Sequence, residues 1–237
     1  MRIEIMYPEV CCLYGDKANM MYLRQCLPNA QFIETSLTDE PTFVSSDVDL
    51  VYFGSMSEKN QELVIDLLVP YKDRLRDLIQ AEQTAFLATG NALEILGQYI
   101  KREDGTKKEA LGVVDSYAVR QTPNRFNSLV LGRFETMTIL GYTSRFSHSY
   151  VKDSSRCMVD VEIGVGLNPD TTCEGIRQGK LFATYLLGPL LIANPDFTKY
   201  LLTQLGVQSP VLAFEEEIYR AYIVKLAEYR KPGIELE

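Results

Sequence analysis

Two nearly unbroken apolar runs, Val48-Asp49-Leu50-Val51-Tyr52-Phe53 and Thr84–Thr89 (TAFLAT), most limit what this chain can fold into, because each stops at a glycine and is followed by helix-forming sequence. Runs so rich in apolar and β-favouring residues suit strands covered on both faces. After Gly54, Ser57 is placed as the N-cap of a helix over SEKNQELVIDLL; Pro70 should kink or end it before Tyr71–Gln80 resumes. After Gly90-Asn91, Ala92–Leu96 reads as a short helix ending at Gly97. Upstream, Ile3–Tyr7 is a first strand, and Gln31–Thr35 a weaker second one. Between them Lys17–Leu27 sets Met20, Met21, Leu23 and Leu27 at roughly helical spacing until Pro28. Such alternation predicts an α/β fold, a mostly parallel sheet with helices on both faces. Ligands of such sheets sit at the carboxyl ends of the strands, so Tyr14–Asp16, Gly54–Ser57 and Thr89–Asn91 should share one rim.

Beyond Gly97 the texture changes. Short strand-like pieces follow at Tyr99–Arg102, Val113–Val119, Ser128–Leu131, Met137–Leu140, Met158–Val165 and Ile176–Thr184, parted by polar turns such as Glu103-Asp104-Gly105 and Asn168-Pro169-Asp170. They predict an antiparallel extension of the same sheet. Gly188-Pro189 opens an apolar stretch to Ile192, and Pro195–Leu205 reads as helix. The tail VLAFEEEIYRAYIVKLAEY carries apolar residues at 214, 218, 222, 223 and 226, an amphipathic helix stopped by Lys231-Pro232-Gly233. The expected division is a domain over 1–206 and a helical extension over 207–237.

Counts remove several kinds of chemistry. The formal charge of −8 over 237 residues argues against unaided binding to nucleic acid, which needs clustered Lys and Arg. No window approaches ~20 uninterrupted apolar residues, so no membrane span is expected. MRIEIMYPEV lacks the pattern of a signal peptide. Five cysteines (Cys11, Cys12, Cys26, Cys157, Cys173) without a CxxC pair indicate neither a zinc ribbon nor a disulfide framework, and a reducing cytoplasm is the simplest setting. His148 is the single histidine, so any Cys–His or Ser–His mechanism must use it and a His-rich metal site is excluded.

Several segments in order carry a resemblance. Leu13-Tyr14-Gly15-Asp16, with Asn19 and Leu23-Arg24-Gln25 after it, is similar to an LYxD-x-GN…LRxR pattern. Asp49–Gly54, Ala88–Gly97, Gly141-Tyr142 and Ala183-Thr184-Tyr185-Leu186-Leu187-Gly188-Pro189 continue it, so that it runs from about residue 3 to residue 205. Together they resemble the CobB/CobQ-like class I glutamine amidotransferases, and among them the GatD-type glutaminase subunits that partner a Mur-ligase-like (MurT-type) protein in amidating a peptidoglycan precursor. The resemblance implies a flavodoxin-like sheet, a hetero-oligomer, no cofactor and no metal.

It also implies where chemistry should sit, and there the chain departs from the pattern. The nucleophilic cysteine of C-G-G-Y-Q-x-L-G falls on Gly90, in Gly90-Asn91-Ala92-Leu93-Glu94-Ile95-Leu96-Gly97. The histidine of T-Y-L-H-G-P falls on Leu187. A glycine tolerates a strained elbow but supplies no nucleophile, and leucine cannot carry a proton. The G-G-G oxyanion loop becomes Gly54-Ser55-Met56, and G-[FY]-E-x-H-x-G-R-[ST] becomes Gly141 to Ser149 with its acid, histidine and arginine replaced. Arg125, in Thr122-Pro123-Asn124-Arg125, matches a substrate-binding arginine after a one-residue insertion; a solvated loop arginine is the equal alternative. The expected set is therefore no catalytic residue, with Arg125, Gly54, Asn91 and Asp16 as ligand-binding candidates, although an Asp such as Asp16 after a strand more often closes a turn or caps a helix. Two functions stand: an inactive subunit that binds glutamine or another small molecule and scaffolds a Mur-ligase-like partner, or an active glutaminase, for cell-wall or cobyric-acid-type amidation, using His148 with Cys11 or Cys12.

Overall fold

The computed structural model of the protein describes residues 1–231 and 233. Alternation in the first half gives β1 (Arg2–Met6), α1 (Lys17–Cys26), β2 (Gln31–Thr35), a single-turn α2 (Thr42–Ser45), β3 (Leu50–Phe53), α3 (Glu58–Leu68), α4 (Lys72–Ala81), β4 (Ala85–Thr89) and α5 (Ala92–Ile95). Ser57 caps α3 by accepting from the Asn60 N–H at 3.3 Å. Pro70 sits in a tight 3-10 turn over Val69–Tyr71 that joins α3 to α4, where a proline can neither donate nor continue the helix.

The second half supplies β5 (Tyr99–Lys101), β6 (Lys107–Glu109), β7 (Ser116–Arg120), β8 (Phe126–Phe134), β9 (Met137–Arg145), β10 (Ser147–Val151), β11 (Cys157–Ile163), β12 (Cys173–Gln178) and β13 (Leu181–Thr184). After them come α6 (Leu190–Ala193), α7 (Pro195–Gln204) and α8 (Glu215–Tyr229). The main sheet has the order β2-β1-β3-β4-β13-β12-β11-β8-β9. It is parallel from β2 to β13 and antiparallel from β13 to β9. Not all of the second half joins it: β10-β7-β5-β6 form a separate four-stranded sheet. Alternation reports which face of a strand is buried, not which sheet receives it.

One face of the main sheet packs Val64, Ile65, Leu68, Leu75 and Ile79 of α3 and α4 against Val51, Phe53 and Phe86. The other packs Met20 and Leu23 of α1 and Phe197, Leu201 and Leu202 of α7 against Ile3, Leu50 and Phe182. The sheet is mixed α/β with helices on both faces, as expected.

Two details differ from the sequence reading. In α8 the inward residues are Ile218, Tyr222, Leu226 and Tyr229, while Ile223 is 62% and Phe214 67% exposed. Phe214 lies before the helix with a left-handed backbone (φ 52), and Ile223 is one position off the docking stripe. The hydroxyls of Tyr222 and Tyr229 donate to the carbonyls of Thr138 and Gly141 at 3.0 and 3.1 Å, seating α8 on β9. Pro232, read as part of the helix stop, lies outside the described residues; α8 itself ends at Tyr229. The second difference is a disulfide between Cys157 and Cys173, which brings neighbouring strands β11 and β12 together at the sulfurs. Spacing alone had no means of revealing a cross-strand pair sixteen residues apart.

The small sheet is tied to α3 by ions. Glu62 accepts two hydrogen bonds from Arg102 (2.9 and 2.8 Å) and one from Arg120 (3.1 Å). Arg102, then Arg120, hold the Glu62 carboxyl down at about 2. Since this lies below the ordinary carboxylate value, the stabilisation is complete above pH ~4.5 and is lost as pH falls toward 2. Glu62→Gln should therefore cost on the order of 1–2 kcal/mol at pH 7, discounted for solvent contact, and nothing near pH 2. Urea melts across that range check it; a cost independent of pH would contradict it.

Candidate active site

Four strand ends meet on one rim. The segment after β1 carries Leu13 and Tyr14, β3 runs into Gly54-Ser55-Met56-Ser57, β4 into Gly90-Asn91, and β13 into Tyr185-Leu186-Leu187. With Arg125, Ser144 and Arg145 from the near end of β8 and β9, these segments enclose a cavity of about 150 Å³. Glu58, at the start of α3, adds a carboxylate to its lining.

The turn after β4 is the sharp elbow the sequence suggested. Gly90 has φ +61, a left-handed conformation that glycine adopts without penalty. A Cβ built there would lie 2.5 Å from Cβ of Ser55 and 3.0 Å from Cδ2 of Leu187. The two positions that the resemblance assigns to nucleophile and base thus meet in space. What fills the space between them is hydrocarbon. Leu187 is buried and its N–H donates to the Tyr142 carbonyl at 2.9 Å, which fixes the segment that would have to present a base.

Each candidate residue has a definite place. Arg125 lines the cavity, exposed, stacked over the Phe146 ring at 4.1 Å and donating to the hydroxyls of Tyr14 and Ser144. Asn91 also lines it, but its side-chain amide clamps Met56: Oδ1 accepts from the Met56 N–H (3.0 Å) and Nδ2 donates to the Met56 carbonyl (2.8 Å). Gly54 and Asp16 do not face the cavity. A Cβ on Gly54 would meet the Cys11 carbonyl oxygen at 2.2 Å, so glycine is needed there for packing against the β1 segment. Asp16 is fully buried below the rim, where one carboxylate oxygen accepts from the Ser55 N–H and the Thr89 hydroxyl, both at 2.7 Å. Burial raises its carboxyl above the ordinary aspartate range, against the pull of those hydrogen bonds. Its place is that of a tie between three rim segments.

Residues the sequence reading passed over hold the elbow from behind. Gln61 donates to the Asn91 carbonyl (2.7 Å) and to Glu94 (2.9 Å), and Tyr185 donates to Glu94 at 3.0 Å. Glu94 and Glu174 are both buried and both pushed above the usual carboxylate range by burial. Polar residues on otherwise apolar stretches, Glu94 in ALEIL and Glu174 before Gly175-Ile176, were the available signal.

The lining contains no cysteine and no histidine. Cys11 is buried with its Sγ 3.9 Å from Sδ of Met56, and burial raises its thiol well above the usual range. His148 is buried in β10, stacked on Phe126 with ring centroids 4.1 Å apart, and burial lowers its pKa. Among the described residues no group of three His, Cys, Asp or Glu side chains could hold a metal. No helix among them is long and apolar enough to cross a membrane. The cavity can hold a molecule by hydrogen bonds and charge, but it offers no activated nucleophile.

No family model matches the chain. Among solved structures it is similar to a glutamine amidotransferase at 16% identity and TM-score 0.53, over 86% of this chain and 99% of that one. It is also similar to a Thermotoga maritima glutamine amidotransferase at 13% identity and TM-score 0.53, over 94% and 92% of the two chains. The fold is thus that of the glutamine amidotransferases. Curated relatives narrow the class. The GatD subunit of lipid II isoglutaminyl synthase (glutamine-hydrolyzing) of Streptococcus pneumoniae is 27% identical over 209 residues, 86% of this chain and 79% of the relative. That of Staphylococcus aureus is 29% identical over 194 residues, 80% and 78% of the two. In sequence the chain is similar to these GatD subunits, and in fold to the glutamine amidotransferases.

Proposed function

We propose that this chain is a GatD-like subunit without glutaminase activity, which binds a small molecule at the elbow cavity and serves as scaffold for a Mur-ligase-like partner in cell-wall precursor metabolism. The observation that carries the reading is the elbow itself: where a nucleophile would project, Ser55 and Leu187 pack into the space. Covalent amide hydrolysis needs a nucleophile there and a base to move its proton. Ser55 is no substitute, because its hydroxyl donates to the Leu13 carbonyl at 2.8 Å and no histidine lines the cavity. The relatives are named as subunits of a synthase, which supports a partner for this chain.

The test is ammonia release from glutamine by the purified chain, alone and with a co-purified Mur-ligase-like protein. Complex formation without ammonia is expected. Turnover that disappears when Cys11 or Cys12 is changed to serine, or His148 to alanine, would overturn the reading.

A further inference from the structure

Two arginines line the elbow cavity from the same end of the β8–β9 hairpin. Arg145 faces Phe126 in the strand register, and Arg125 directly precedes Phe126. Among the described residues, neither has a carboxylate partner. Arg145 is 4% exposed; its Nη2 donates to the Gly166 carbonyl at 2.5 Å and its guanidinium lies 4.1 Å over the Tyr185 ring. Its Nε and Nη1 have no hydrogen-bond partner. Removing a guanidinium from water while leaving donors unmade is costly, and an anion is the group that relieves it most. Position 145 is also where the resemblance puts a histidine, so this cation is the chain's own departure.

We infer that the elbow cavity is a site for a small molecule bearing two acidic groups, a short dicarboxylate in class, held by Arg125 at the mouth and by Arg145 in the wall. The inference rests on the non-catalytic binding role proposed above. Two unpaired cations favour a second acid over a neutral amide, because a fork of guanidinium donors matches a carboxylate and only half-matches an amide. Glu58 in the lining, with Glu174 and Glu94 acting on Arg145 from behind, lowers the net positive charge offered. This disfavours larger polyanions.

Titration calorimetry at low ionic strength, where charge is least screened, tests this with glutarate and its monoamide as probes. Saturable glutarate binding about 10-fold or more tighter than that of the monoamide is expected. Equal affinity, or no saturable binding of glutarate, would overturn the inference. Arg125→Met and Arg145→Met should each weaken glutarate about 10-fold or more. Arg145→Met should also raise the Tm of the unliganded protein, since it removes an unsatisfied buried cation, while abolishing the glutarate-dependent rise in Tm. A lowered Tm with glutarate binding intact would show a structural arginine instead. If Arg145→Met does not fold, Arg145→Lys carries the test, and unchanged glutarate affinity in that variant counts against the site. Ammonia release from glutamine bears only on the functional reading, and glutarate binding only on this one.

Discussion

Gly90→Cys is expected to destabilise the protein by about 2–5 kcal/mol and to release no ammonia from glutamine. Two costs add: a side chain at φ +61 is strained by ~1–2 kcal/mol, and overpacking against Ser55 and Leu187 costs ~1–3 kcal/mol more. The second cost is specific. The atom in the way is Cβ of Ser55, 2.5 Å from the new Cβ, and it is held by the rim backbone and cannot swing aside. Ser55→Gly alone should cost about 1 kcal/mol, chiefly the hydrogen bond from its hydroxyl to the Leu13 carbonyl. The double variant should then be more stable than the sum of the singles predicts, by about 1–3 kcal/mol. Urea unfolding of the four proteins measures this coupling. Additivity within about 0.5 kcal/mol would mean that Ser55 does not occupy the nucleophile's place.

That coupling also shows where sequence reasoning stops. Gly90 and Leu187 could be read as departures because each falls inside a short recognisable pattern. Ser55 could be read as a lost glycine, but not as the residue that closes the gap left at Gly90. The two are thirty-five positions apart, and only packing brings them together. The same division runs through the fold. The strands ending at Phe53 and Thr89 were legible because burial on both faces leaves an apolar run, and the Ser57 cap because it is a local hydrogen bond. By contrast, β7 and β10 carry strand-like residues that say nothing about a separate sheet, and Ile223 sits within an apolar stripe that the real docking face of α8 bypasses. Arg145 was visible only as a replacement. Its unmet donors are a property of the surroundings, which no local pattern encodes.

Asp16 should prove the most sensitive position on the rim, and its role differs from the ligand contact the sequence suggested. Asp16→Ala leaves the Ser55 N–H and the Thr89 hydroxyl buried without their acceptor, an expected loss of about 3–5 kcal/mol. Asp16→Asn should cost only about 1 kcal/mol, because one oxygen accepts both of those hydrogen bonds and an amide retains one oxygen. The lost contact is then the long one from Asn19 (3.4 Å), whose amide also donates to the Tyr52 hydroxyl at 3.1 Å. Both variants should gain on the parent as pH rises, because both lack the Asp16 carboxyl. Burial raises the Asp16 carboxyl, so between the ordinary aspartate range and that raised value the folded protein holds more protons than the unfolded chain. Stability of the parent therefore falls as pH climbs through this window, whereas both variants lack that slope. Urea melts from about pH 4 to pH 8 should show both gaps to the parent narrowing with pH by the same amount, with Asp16→Ala below Asp16→Asn throughout. A widening gap for the asparagine variant would mean that hydrogen bonding to the charged form outweighs burial, and that Asp16 ties the rim as a carboxylate.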